Sequence, residues 1–140
     1  MKTNRKLILA LVGALALSTA AAPQLKQLIK VVGIGAAVKQ FGPQINSTIN
    51  KATKHEDTKA SATKVVPILS VGSGSGAIGA AQVMGAKESV DKVQAVAQIE
   101  GGLFGEVRFR ALIPVESKDV LSNIRRVDGV GVSGIVDLKL

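Results

Sequence analysis

Residues 92–113 read KVQAVAQIEGGLFGEVRFRALI. Val93, Ala95, Ala97 and Ile99 alternate with Gln94, Val96, Gln98 and Glu100, and past the glycines Val107, Phe109, Ala111 and Ile113 alternate with Glu106, Arg108, Arg110 and Leu112. Period-two runs on both sides of a glycine-bearing connection predict an antiparallel hairpin with strands over 92–100 and 106–113. The loop is expected at Gly101–Gly105. In this register Glu100 and Glu106 face one another across the hairpin, and the pair reads as an exposed charge ladder in preference to a catalytic carboxylate pair.

Working outward toward the C-terminus, Pro114 is expected to end the hairpin, because proline lacks the N–H a ladder needs. Ser117 is a suitable N-cap, Asp119 sits in a first turn, Arg125 and Arg126 in a last turn, and Gly129 just beyond, so a helix is expected over 118–127. The closing GVGVSGIVDLKL alternates Val132, Gly134, Val136, Leu138 and Leu140, which predicts a final strand beside the hairpin with the helix packed on the sheet.

Toward the N-terminus the segment from Val65 to Gly85 is rich in β-branched residues and glycine, and one bent strand or two short ones are expected there. Gly74-Ser75-Gly76-Ala77-Ile78-Gly79 matches G-x-G-x-x-G with Glu100 about 20 residues on. Too little chain follows for a dinucleotide fold, so the glycines are read as strand bends. Residues 53–64 form a polar linker that carries His55, the single histidine. Residues 23–52 form a basic helical arm. A helix over 24–41 is expected to be broken by Gly42-Pro43 and followed by a second short helix through Ile45 and Ile49 to Lys51.

The first 22 residues carry a graded pattern. Lys2, Arg5 and Lys6 precede the apolar run Leu7–Leu17, which is followed by Ser18-Thr19-Ala20-Ala21-Ala22. A basic, apolar and then small-residue order is that of a secretory signal peptide. The run is too short for a hydrocarbon core of ~30 Å, which takes about 20 helical residues. An exported protein, periplasmic or extracellular, is therefore expected.

The expected architecture is α+β: N-terminal helices, then a small mainly antiparallel sheet with one C-terminal helix packed on it, the β-rich part spanning 65–140. There is no cysteine, so no disulfide staples the fold and no thiolate chemistry is available. A zinc site needs several His or Cys, and a serine triad would have to recruit His55 from a polar linker with nothing to orient it, so no metal, cofactor or enzymatic activity is expected. Three Phe and no Trp or Tyr leave few rings to stack sugars or bases, so no nucleic acid is expected as a partner.

The formal charge of +8 is unevenly placed. Residues 23–64 hold seven lysines against Glu56 and Asp57, whereas residues 65–140 balance eight basic against eight acidic side chains. The surplus beyond the leader lies in the arm, which makes Lys26, Lys30, Lys39 and Lys51 the candidate contacts for a membrane or a partner. The expected role is a non-catalytic envelope or secreted protein acting in assembly or partner binding, through a protein partner or self-association. The alternative is a membrane-surface or lipid-binding protein using the basic apolar N-terminal helix on an anionic surface.

Overall fold

The computed structural model describes residues 33–71, 77–117 and 124–137. In chain order the elements are α1 (Ile34–Thr53), β1 (Ala62–Ser70), β2 (Ala77–Gly85), the four-residue α2 (Lys87–Val90), β3 (Ala95–Leu103), β4 (Val107–Val115) and β5 (Val130–Val136). The five strands form one sheet in the order β4-β3-β1-β2-β5. Neighbours pair antiparallel except β1 and β3, whose parallel register joins Ile68–Ser70 to Val96–Gln98.

Val66, Ile68, Ala81, Val83 and Val96 pack together with Leu112 of β4 and Val130 and Val132 of β5. Side chains from both end strands can meet in one cluster only if the sheet curls around it. Among the described residues the architecture is thus a five-stranded near-barrel with one long helix before it and the short α2, in place of the expected layer of several N-terminal helices and a C-terminal helix. Val90, Val93 and Val127 join the same cluster.

The expected helix over 118–127 is corrected where it can be seen. Arg126 bridges to Val115, Val127 N–H donates to the Pro114 carbonyl at 3.0 Å, and Glu116 N–H donates to the Arg125 carbonyl at 3.0 Å. Residues 124–127 therefore run beside the end of β4 and do not form a last helical turn. Burying Val127 in the core outweighs the favourable end charges. Residues 118–123 lie outside the described residues.

Gly42-Pro43 does not divide the arm: α1 is continuous through Pro43. Its stripe of Ile34, Val38, Ile45 and Ile49, with helical spacing, packs on Val65, Ala80 and Val136. Proline costs a helix one hydrogen bond, and this packing offsets it. Gly42 is buried, and a Cβ there would lie 3.2 Å from the Val65 carbonyl oxygen, so the absent side chain lets helix and strand approach. The helix ends at Lys54 in the left-handed region, φ 59°, with His55 N–H on the Asn50 carbonyl at 2.9 Å. The part of the expected 24–41 helix before Gly33 lies outside the described residues.

The hairpin lies near its expected place, with both strands displaced. Ala95 pairs with Val115 and Leu103 with Val107, so Gly101 and Gly102 are strand residues and Pro114 lies inside β4. The turn is instead Phe104–Glu106, with Phe104 at φ 52° and Gly105 at φ 73°. Proline is tolerated because β4 is a terminal strand of the sheet. The last strand joins β2 and not the hairpin, and its alternation shifts where Ser133 stands unpaired between Val132↔Val83 and Gly134↔Gln82.

Pro67 stands in β1, the middle strand. Val71 N–H donates to the Gln98 carbonyl at 2.9 Å, which fixes the odd-numbered residues of β1 as those whose backbone groups point toward β3. Pro67 is the first such residue ahead of the parallel ladder, so its missing N–H falls where no strand receives it.

Candidate functional site

That interrupted side of β1 opens a cleft. Its walls are α1, the β1 residues before the ladder, and Val93-Gln94 at the entry to β3; it encloses about 410 Å³. Val38, Val65, Pro67 and Val93 supply apolar surface, and Lys39 and Lys64 bring cationic side chains. Lys64 Nζ donates to the Val93 carbonyl at 2.7 Å, so the turn into β3 is tied to β1 by a side chain where no ladder reaches.

Beside the cleft a polar network crosses the helix–sheet contact. Asn46 and Asn50, one turn apart on α1, donate to Thr63 Oγ1 at 2.9 and 2.8 Å, and the Thr63 hydroxyl donates to Asp57 Oδ1 at 2.7 Å. Gln82 Nε2 donates to Asn46 Oδ1 and Asn50 Oδ1 at 3.0 and 2.9 Å, and Ser133 Oγ donates to Gln82 Oε1 at 2.7 Å. Gln82 is 2% exposed, and partners on both ends of its carboxamide compensate its burial. The network fixes the helix on the sheet. It also occupies the side chain of Asn46, whose Asn46-Ser47-Thr48 run has the N-x-S/T form of a glycosylation acceptor.

His55 borders this network without gaining a nucleophile. Its Nε2 lies 3.2 Å from the Ser61 carbonyl and 3.3 Å from Asp57 Oδ1. Both neighbours are acceptors, so Nε2 carries the proton. The nearby Thr63 hydroxyl gives its own proton to Asp57 and not to the imidazole. In the G-x-G-x-x-G match Gly74 and Gly76 lie outside the described residues, while Gly79 lies within β2. A strand follows where a phosphate-binding loop requires a helix.

The second notable surface is the outer half of the hairpin. Glu100 faces Arg110, not Glu106, and their side chains meet at 3.5 Å in an exposed ion pair. The opposite face carries Leu103, Val107 and Phe109, all substantially exposed, and Phe104 at the turn is 92% exposed. Phe109 lies over Gly101, where a Cβ would come within 2.5 Å of its ring. Among the described residues no strand pairs with β4 on the side away from β3 between Val107 and Ile113.

Of the four expected lysine contacts, the structure describes Lys39 and Lys51. Lys26 and Lys30 lie outside the described residues. Lys39 stands exposed at the cleft, and Lys51 is exposed in the last turn of α1. Sequence reasoning chose Lys39 for its charge and missed the cleft. Pro67 inside an apolar strand was the available signal, since it marks a place where a ladder is interrupted.

The described residues define a class by their geometry: a curled five-stranded sheet with a long helix locked across its convex side, a cleft beside that helix and a projecting apolar hairpin. No protein-family model, curated protein or solved structure matches the chain.

Proposed function

We propose that this is an exported, non-catalytic envelope or secreted protein acting in assembly or partner binding, and that the outer half of the β3–β4 hairpin receives a strand of another polypeptide. The observation that carries the reading is Phe104. A bulky apolar residue in the left-handed region is strained, and one that is 92% exposed gains almost nothing from burial in its own chain. Beside it, β4 is a terminal strand that no described strand other than β3 pairs between Val107 and Ile113, the feature by which sheets recruit further strands. Export rests on the graded order of residues 1–22.

A photoreactive residue placed at position 104 or 109 of the full chain is expected to give discrete protein adducts, with none from position 47 on α1. Absence of adducts from both hairpin positions removes the reading. Adducts of twice the chain's mass identify self-association. The mature N-terminus, read by mass spectrometry, is expected near residue 21 or 22; an intact Met1 on the exported chain overturns the export part.

The basic N-terminal helix acting on an anionic membrane has less to support it from Ile34 onward, because that apolar stripe packs on the sheet.

A further inference from the structure

We infer that the cleft between α1 and β1 binds an amphiphilic anion, an apolar chain ending in a carboxylate or a phosphate. The inference concerns a surface separate from the hairpin and stands without it.

The cleft's volume of about 410 Å³ lies in the range of small-molecule sites, roughly 300–1,000 Å³. Such sites join an apolar lining to a few polar groups that fix orientation. Here Val38, Val65, Pro67 and Val93 form the apolar part, and the charged groups are Lys39 and Lys64. No acidic side chain is among the described lining residues. A ligand that satisfies both features carries a negative head and an apolar body.

The two lysines have different parts. Lys64 is held by the Val93 carbonyl, so its charge is fixed at one wall. Lys39 is exposed on α1 and is the cation free to close on a headgroup arriving from solvent. The chain then runs from Lys39 across Val65 toward Val93.

Other occupants fit less well. No aromatic ring is among the described lining residues to stack a sugar or a base, and no carboxylate is there to hold a metal ion. An added strand would need a run of backbone donors along β1, and Pro67 removes one where the ladder to β3 is interrupted.

The test uses the full chain labelled with ¹⁵N, titrated with decanoate, decyl phosphate and decanol, each below its aggregation threshold. Saturable shifts are expected at the amides of Gly42, Val65 and Gln94, with decanol binding about tenfold more weakly than the better anion, as befits loss of a charge-assisted hydrogen bond. The tighter of the two anions identifies the headgroup. Lys39→Gln is expected to lower affinity for that anion about tenfold and leave decanol unchanged, while Lys59→Gln changes neither. Spectra that otherwise superimpose show that Lys39→Gln folds. The proposal is overturned if neither anion shifts the cleft amides, if the shifts centre elsewhere, if decanol binds as tightly as both anions, or if Lys39→Gln has no effect.

Discussion

The base and the tip of the β3–β4 hairpin carry the same two-residue alternation and end in opposite environments. At the base Ala95, Val96, Ala97 and Val115 are fully buried on both faces of the sheet. Toward the tip Val107 and Phe109 are 51% and 44% exposed, and charged side chains line the other face. Alternation therefore specifies which side chains share a face, and says nothing of whether that face is covered. Coverage is decided by elements far away in sequence, such as Val127 and the hairpin of β1 and β2. The tip extends past them and keeps an apolar face with no role in its own core.

Substituting one charge at both ends breaks the comparison most severely. Val96→Asp buries a carboxylate among apolar side chains and is expected to cost more than about 4 kcal/mol, enough to unfold a small domain. Val107→Asp is expected to change stability by less than about 0.5 kcal/mol. Urea unfolding followed by far-ultraviolet circular dichroism checks both, since the chain has no Trp or Tyr to report by fluorescence. Equal losses at the two positions would show that the tip is as structurally committed as the base.

Gly101→Ala sharpens the contrast at its boundary. The new methyl must displace the Phe109 ring, a movement at the end of a side chain, while alanine removes some of glycine's entropy cost. A net stability change below about 1 kcal/mol is expected, together with altered adduct yield from a photoreactive residue at position 104. Unchanged yield would show that the ring's placement is immaterial to binding. The smallest effect is expected from Glu100→Gln, which removes an ion pair whose side chains are both about half exposed. Its cost is expected to stay below about 0.5 kcal/mol and to vanish in high salt, read from unfolding midpoints.

The hairpin was legible because its signal is local: two alternating runs and glycines between them. Its register was not, because reading Gly101-Gly102 as loop ignores that the Phe109 ring needs an empty position opposite it. Pro43 and residues 124–127 mislead for a shared reason. Local preferences, about 3 kcal/mol for the proline and about 1 kcal/mol for the helix-end signals, are overridden by packing of Val38 and Ile45 in one case and burial of Val127 in the other. The polar network was invisible in the sequence, since Asn46, Thr63, Gln82 and Ser133 lie on four separate elements and only the curled sheet brings them together. For the candidate cleft, Lys39 was legible by charge alone, and its apolar walls were hidden in strands that read as ordinary core.

The parallel register of Ile68–Ser70 with Val96–Gln98 has a further consequence, for the order in which the molecule assembles. Each hairpin joins strands that are close in sequence, an event of microseconds for an isolated pair. Joining them requires two ready-made halves to meet along three residue pairs whose partners lie 28 positions apart in the chain. Such a contact gives little until both halves exist, so the splice belongs late in folding and acts as the slow step of the sheet. In the finished molecule it is also the narrowest ladder, a seam along which the two hairpins can part while each keeps its own hydrogen bonds.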